Sequence, residues 1–208
     1  MHQPSEGETK SNAGGWQSPP LPLHDGSPQF APLRELAEHV REAGLWFISD
    51  GLGDDLRRQS ALATGEYKLE LAAMWMNINR GGDYNHAHTH PDSFLSGVYY
   101  AQAGGSDFGS AHSDGGGELV LHDPRLPQLQ QFEYMGWYGL GAHRRIAPAA
   151  GKLVLFPSWL LHRVDAMATT ASGEAQLESE RVSISFNLQF FPSTTATADK
   201  ASCKPGSD

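Results

Sequence analysis

The stretch that decides the fold runs Tyr84-Asn85-His86-Ala87-His88-Thr89-His90-Pro91-Asp92-Ser93-Phe94-Leu95-Ser96-Gly97-Val98-Tyr99-Tyr100. Three of its histidines occupy alternate positions, and side chains at alternate positions of an extended strand project to the same face. His86, His88 and His90 are therefore predicted to point the same way. Imidazole is the commonest side-chain metal ligand and binds as the neutral base, so the pattern indicates a metal site. The alternative is a polar surface strand that is rich in histidine.

The composition favours a β-rich protein and argues against two classes of partner. The 208 residues include 23 glycines and 13 prolines, which suit short strands joined by turns better than a helix bundle. A net charge of −9 argues against a nucleic-acid partner bound through a broad basic face. The apolar run Leu153–Leu161 is too short to span a membrane, and the N-terminus lacks an apolar signal segment. With Cys203 as the single cysteine, no internal disulfide is possible, and we expect a cytoplasmic location.

Periodicity divides the chain into a helical beginning and a β-rich remainder. Residues 1–29 and 193–208 are polar and lack periodicity, so both segments are predicted to be disordered. We expect helices at Pro32–Phe47 and around Asp54–Leu62. Short strands separated by turns follow, and residues 30–192 are predicted to form one mainly β domain, a sandwich or barrel with flanking N-terminal helices.

Two features outside the histidine-rich stretch are candidates for chemistry. His162 follows an apolar strand and could bring a third imidazole from the far side of a barrel, although a lone histidine is more often structural. The last strand, Arg181–Phe191, alternates, so that Arg181, Ser183 and Asn187 share a face. If this face points into a barrel, Arg181 is a buried cation that a ligand carboxylate would satisfy. If it points outward, it is a solvated polar stripe, and both interpretations stay open.

Taken together, these motifs resemble a family of 2-oxoglutarate/Fe(II)-dependent oxygenases that is distantly similar to prolyl hydroxylases. The similar elements occur in the same order from about Trp75 to Asn187, and they are Asn85-x-x-His88-x-His90-Pro91, Leu95-Ser96-Gly97-Val98-Tyr99-Tyr100, Gly117-Glu118-Leu119 to Asp123-Pro124-Arg125, Leu155-Phe156-Pro157-Ser158-Trp159-Leu160-x-His162-x-Val164, and Arg181-x-Ser183-Ile184-Ser185-Phe186-Asn187. The resemblance implies a double-stranded β-helix, which is a jelly-roll or cupin-like barrel. It implies Fe(II) at one mouth and 2-oxoglutarate deeper inside. It also implies hydroxylation of a protein side chain or small molecule with O2, releasing succinate and CO2.

The metal ligands have to be chosen among several neighbouring residues. The wider superfamily usually combines His-x-Asp/Glu with a distal histidine, a 2-His-1-carboxylate face. Here His88-x-His90 occupies that place, so we predict a three-histidine set of His88, His90 and His162. A literal His-x-Asp also occurs at His90-Pro91-Asp92, which makes Asp92 the first alternate, and His86 is a weaker one. The spacing also resembles the two cupin motifs, although the cupin glutamate is absent.

The resemblance implies roles for residues around the metal. Arg181 is expected to bind the distal carboxylate of 2-oxoglutarate, with Ser183 and Tyr100 as hydroxyl donors and Asn187 lining the pocket. Hydrogen-bond partners commonly fix ligand imidazoles, and the candidates for that role are Asn77 and Asn85.

Two other functions are compatible with the same residues. A cupin-like three-histidine metalloprotein, a dioxygenase or isomerase, would bind metal without using 2-oxoglutarate. A non-catalytic β-barrel binding module would carry its histidines on the surface without a metal.

In the oxygenase interpretation the loops 103–116 and 166–180 are expected to cover the substrate, because specificity is commonly carried by loops on a rigid scaffold.

Overall fold

The computed structural model describes residues 11–51, 65, 67–104, 116–125, 143–169 and 180–193. Its elements are a 3-10 turn (Pro28–Phe30), α1 (Ala31–Gly51), β1 (Asn12–Ala13), β2 (Trp16–Gln17), β3 (Tyr67–Asn79), β4 (Tyr84–His88), β5 (Leu95–Gln102), β6 (Leu119–His122), β7 (His143–Ile146), β8 (Leu153–Pro157), β9 (His162–Val164) and β10 (Arg181–Pro192). None of the helices within these ranges is long and apolar enough to cross a membrane.

The strands form two five-stranded sheets, in the orders β1-β4-β9-β6-β7 and β2-β3-β10-β5-β8. From β3 to β6, and again from β8 to β10, successive strands alternate between the two sheets. This alternation is the winding of a double-stranded β-helix, in which non-consecutive strands become neighbours. The predicted mainly β, jelly-roll fold is confirmed. The predicted helix Pro32–Phe47 is part of α1, whereas the one around Asp54–Leu62 lies outside the described residues.

The chain divides into two compact units. One consists of Met1–Pro22 and Ala73–Asn187, and the other of Leu23–Ala72 and Leu188–Asp208. The buried apolar side chains of the first unit are Met74, Leu95, Tyr100, Leu119, Val120, Phe156, Met167, Ile184 and Phe186. Those of the second are Val40, Ile48, Leu69 and Leu188. The organisation of residues 30–192 as a single domain stays a prediction.

The N-terminal segment contributes strands, so the predicted disorder of residues 1–29 is wrong for its described part. β1 pairs with β4, placing Asn12 opposite Asn85, and β2 pairs with β3, placing Gln17 opposite Asn77. The Ser18 backbone N–H also donates to the Met76 carbonyl at 2.9 Å. Two-residue strands have no readable period, and their hydrogen-bond partners lie about 60 or more residues away in the sequence. Propensity alone therefore could not reveal them.

Gly97 of β5 packs closely against the neighbouring strands β8 and β10, and this packing generates a stability prediction. A Cβ at this position would lie 2.3 Å from the Val154 carbonyl oxygen and 2.5 Å from the Phe186 ring. We expect Gly97→Ala to lower the free energy of unfolding by about 1–3 kcal/mol, because the backbone or ring has to move. Gly26→Ala is the control, since a Cβ there meets nothing within 4 Å. Equal urea-unfolding midpoints for both variants would contradict this packing.

Candidate active site

Three histidines from different parts of the chain converge at one point. The ring centroids of His88 and His162 lie 4.3 Å apart, those of His88 and His90 5.0 Å, and those of His90 and His162 5.1 Å. One ring nitrogen from each lies within 4.8 Å of the others. Within the described residues, this is the one group of three or more side chains with such metal-binding potential. The structure thus brings together the three residues chosen from the sequence.

A register shift between β4 and β9 sets which histidines meet. Asn85 pairs with Val164 and His88 with His162, so three steps along β4 match two along β9. The extra residue is a β-bulge, and it places Asn85 and His88, rather than His86 and His88, on the face shared with His162. His86 borders the cavity, but its ring is exposed and packs edge-on against Tyr84, with centroids 5.0 Å apart. The prediction that all three alternate histidines project together is wrong for His86.

Backbone carbonyls fix the ring orientation of two of these histidines. Nδ1 of His88 lies 2.7 Å from the His86 carbonyl oxygen, and Nδ1 of His162 lies 2.9 Å from the Leu160 carbonyl oxygen. A carbonyl oxygen only accepts hydrogen bonds, so each Nδ1 carries the proton and each Nε2 keeps a free lone pair. Histidine ligands commonly donate their other ring N–H in this way. The tautomers therefore suit metal binding through Nε2.

Partial burial keeps the three rings neutral. Burial lowers the pKa of His162 to about 3 and that of His90 to about 4, and it also lowers the pKa of His88. His90 is held by its backbone N–H, which donates to the Ser158 carbonyl at 3.0 Å, and its ring lies 5.8 Å from that of Trp75. Neutral imidazole is the form that binds metals, so the donor set fits a divalent cation.

The remaining metal-site candidates lie apart from this group. Asp92 is exposed in a turn, where its φ is 63°, and it is absent from the group of converging ligand atoms. Asn77 and Asn85, the candidates for holding the imidazoles, make hydrogen bonds to serines: Asn77 donates to Ser185 Oγ at 3.0 Å, and Asn85 donates to Ser11 Oγ at 3.3 Å. Short-range carbonyls already occupy Nδ1 of His88 and of His162.

A cavity of about 530 Å³ connects the histidines with the polar face of β10. It lies within the first unit, and its wall includes the three histidines and the four residues expected to bind 2-oxoglutarate, namely Arg181, Ser183, Tyr100 and Asn187. The polar side of β10 therefore faces into the barrel, which is the interpretation that makes Arg181 a buried cation. Asn187 accepts a hydrogen bond from Ser96 Oγ at 2.8 Å, so its amide is fixed at the wall.

Arg181 is a buried cation in this wall, with a relative exposure of 2%. It donates through one terminal nitrogen to the Gly117 carbonyl and through the other to Asn79 Oδ1, both at 2.7 Å, while Nε has no partner. Among the described residues, no carboxylate lies within the 4.0 Å of an ion pair with it. A buried charge without a counter-charge is costly, so the site fits an anionic ligand.

Asn79 and Gly117 contact the arginine but were missed from the sequence. Asn79 is the last residue of β3 and lies two residues beyond Asn77, which lines the cavity. Because side chains alternate along a strand, the cavity residues Ala73 and Trp75 were a usable signal that Asn79 lies on the same face. Gly117 has a φ of 72°, and a Cβ there would lie 3.2 Å from a terminal nitrogen of Arg181. Glycine suits this position because a positive φ is strained for other residues and a Cβ would crowd the guanidinium.

The fold and the site together define a double-stranded β-helix with three histidines and a buried arginine in one cavity. Residues 73–187, more than half of the chain, match the family described as "Putative 2OG-Fe(II) oxygenase". The chain belongs to this family, whose cofactors are Fe(II) and 2-oxoglutarate. The predicted family and cofactors are confirmed. No curated protein is significantly similar to the chain in sequence.

Several solved structures are similar in fold. A 2OG-Fe(II) oxygenase-family oxidoreductase from Burkholderia pseudomallei is 17% identical, with a TM-score of 0.40 over 59% of this chain and 44% of that one. A Pseudomonas putida prolyl-4-hydroxylase is 15% identical, with a TM-score of 0.48 over 79% and 68%. The viral collagen prolyl hydroxylase vCPH from Paramecium Bursaria Chlorella virus-1 is 13% identical, with a TM-score of 0.45 over 84% and 78%. The chain spans less than half of the Burkholderia protein. The family assignment rests on the sequence match.

The shifted imidazoles generate a prediction about acid sensitivity of the metal-free protein. The pKa is about 3 for folded His162 and about 4 for folded His90, against 6.5 as the ordinary value. At a pH between the folded-state and ordinary pKa values, the unfolded chain binds more protons than the folded chain, so acid favours unfolding. The contribution of these histidines to the free energy of unfolding is therefore complete above about pH 6.5 and is lost as the pH falls toward the folded-state pKa values. We expect urea-unfolding midpoints to decrease between about pH 7 and pH 4.5, and to decrease less in His90→Gln/His162→Gln. An equally steep decrease in the double variant would contradict this assignment.

Proposed function

We propose that this protein is a hydroxylase that uses Fe(II), 2-oxoglutarate and O2 to oxidise a small molecule or a protein side chain, with release of succinate and CO2. The observation that carries the proposal is the buried Arg181, which has no ion-pair partner among the described residues and lines the same cavity as three neutral imidazoles. A 2-oxo dicarboxylate fits this arrangement, because its 2-oxo acid end can bind a metal held by the imidazoles while its other carboxylate pairs with the guanidinium.

The metal is assigned to His88, His90 and His162. Because Nδ1 is occupied in His88 and His162, Nε2 of each is the ligand atom. Three neutral donors leave the charge of a divalent cation uncompensated, which favours an anionic co-substrate beside it. Bound Fe(II) supplies the oxidising chemistry with O2 and 2-oxoglutarate, and the protein supplies orientation and an environment with little water.

The co-substrate is assigned to the polar face of β10 and its neighbours. The guanidinium of Arg181 presents a fork that pairs with a carboxylate, and its unpartnered Nε is available as a donor. Ser183 is buried in the same wall and offers a hydroxyl. Burial raises the pKa of Tyr100, while the charge of Arg181 acts in the opposite direction. A protonated phenol is a hydrogen-bond donor, so Tyr100 is suited to bind the same carboxylate.

The rest of the cavity is suited to exclude water around the reacting groups. Trp75, Phe156 and Val98 form apolar parts of its wall, and Phe156 packs 4.6 Å from the His162 ring, measured between centroids. Gln17 and Ser18, on the N-terminal segment, are both about 5% exposed and close another part of the wall. Apolar enclosure strengthens the electrostatic contacts to an anionic ligand.

A second candidate function is a cupin-like metalloprotein that does not use 2-oxoglutarate. The observation that favours it is the all-histidine donor set, which has no carboxylate among its described members. The buried charge of Arg181 weighs against it, because such a metalloprotein needs no buried guanidinium facing the metal cavity. Tight metal binding without any binding of 2-oxoglutarate would favour this candidate.

The ligand assignment predicts the metal content of histidine variants. We expect the wild type to bind about one Fe(II) per chain anaerobically, and His88→Ala or His162→Ala to weaken that affinity by at least about 100-fold, because each removes one of three donors. His86→Ala is the matched control, since its ring lies outside the converging group and only its backbone carbonyl orients His88. Calorimetric titration measures both. Unchanged affinity in a His88→Ala/His162→Ala double variant would support the non-catalytic binding module instead.

The co-substrate assignment predicts the effect of removing the buried cation. We expect Arg181→Gln to weaken 2-oxoglutarate binding to the Fe(II)-loaded protein by on the order of 100-fold, because a buried charge pair is lost. Fe(II) affinity should be retained, since Arg181 is not among the three converging histidines. The anaerobic visible absorption of the Fe(II)–2-oxoglutarate complex measures the first quantity. Absence of this band in folded, iron-loaded wild type would contradict the proposed function.

A further inference from the structure

A chain of hydrogen bonds connects the buried arginine with the N-terminal segment. Arg181 donates to Asn79 Oδ1 at 2.7 Å, and Asn79 Nδ2 donates to Asn12 Oδ1 at 3.2 Å. Asn12 Nδ2 in turn donates to the Gly15 carbonyl. Asn79 is completely buried, and a Cβ on Gly15 would lie 2.4 Å from its Nδ2. The turn between β1 and β2 thus packs directly on the amide that holds the guanidinium.

The direction of this chain is fixed at both ends. The Gly15 carbonyl only accepts, so Asn12 must turn its NH2 group toward it and its oxygen toward Asn79. Asn79 must then turn its NH2 group toward Asn12, which leaves its oxygen facing Arg181. The guanidinium only donates, so the arrangement agrees with this requirement as well. Consecutive amides of this kind polarise one another, which strengthens the bond to the arginine.

We propose that Asn79, held by Asn12, is a positioning residue that orients the Arg181 guanidinium toward the co-substrate carboxylate without neutralising its charge. This inference rests on the proposed function, because it assigns Arg181 to a carboxylate ligand. In this proposal the N-terminal strands β1 and β2 support the co-substrate site, although neither strand contributes a residue to the three-histidine group.

The neutrality of the two arginine partners is central to this role. An aspartate in place of Asn79 would hold the guanidinium equally well but would pair with its charge, and a ligand carboxylate would then meet a compensated cation. The Asn79 amide and the Gly117 carbonyl instead fix the guanidinium through uncharged oxygens. The charge therefore stays available to a ligand that enters the cavity, where a charge-assisted bond is stronger than a neutral one.

The test compares two ligands that differ only at the distal carboxylate. Mn(II)-loaded wild type, Asn79→Asp, Asn79→Ala and Asn12→Ala are titrated by calorimetry with 2-oxoglutarate and with 2-oxovalerate, a 2-oxo acid of similar length that lacks that carboxylate. We expect Asn79→Asp to weaken 2-oxoglutarate binding by at least about tenfold, and Asn12→Ala to weaken it severalfold, with 2-oxovalerate affinity changed less than about twofold. General damage to the fold would weaken both ligands, so their ratio isolates the positioning role.

Gln102→Ala is the matched control. Gln102 is an exposed amide that donates to the Glu180 backbone carbonyl at 2.9 Å, one residue before Arg181, and the cavity wall does not include it. We expect this variant to keep the wild-type ratio of the two affinities.

If wild type binds 2-oxoglutarate more tightly than 2-oxovalerate and the Asn79 and Asn12 variants keep the same ratio, the positioning role is wrong. If wild type binds Mn(II) but does not distinguish the two ligands, the proposed function itself is wrong. Should Asn79→Asp fail to fold, the Asn12→Ala ratio decides the question.

Discussion

The buried charge of Arg181, which forms no ion pair with any described carboxylate, is the constraint on which the rest of the site depends. Its guanidinium is almost completely buried, and its protein partners are neutral oxygens of Gly117 and Asn79. Such a charge destabilises a fold unless something in the working protein compensates it. The surrounding structure is consistent with a ligand in that role: β10 turns Ser183 into the same wall, and the neighbouring strand β5 adds Tyr100 as a buried phenol. A cavity whose described wall holds one cation and no carboxylate selects an anion.

The metal end of the cavity depends on backbone geometry rather than on side-chain spacing alone. The bulge in β4 shifts the strand by one residue, which brings His88 opposite His162. The same bulge leaves the His86 carbonyl free to accept from His88 Nδ1. His90 lies beyond the strand and is fixed by the Ser158 carbonyl on the turn that leads to His162. Each imidazole is thus oriented by a nearby backbone group, and the family membership of the chain gives this arrangement its chemical meaning.

Much of the site could be predicted because its signals are local. Alternation along β10 placed Arg181 and Ser183 on one face, and motif order indicated that His162 would join His88 and His90. What failed depends on contacts between distant segments. A bulge is a property of two paired strands, so nothing within β4 alone could show that His86 turns away. Asn12 and Asn79 meet across 67 residues, and their hydrogen bond follows from the pairing of strands too short to show a period.

The most direct test of the account is a crystal structure of the protein grown anaerobically with Mn(II) and 2-oxoglutarate, with anomalous data to locate the metal. The account predicts an anomalous peak within bonding distance of ring nitrogens of His88, His90 and His162, together with 2-oxoglutarate whose distal carboxylate pairs with Arg181. A metal bound elsewhere, for example through Asp92, or a guanidinium that makes no contact with the ligand, would contradict it.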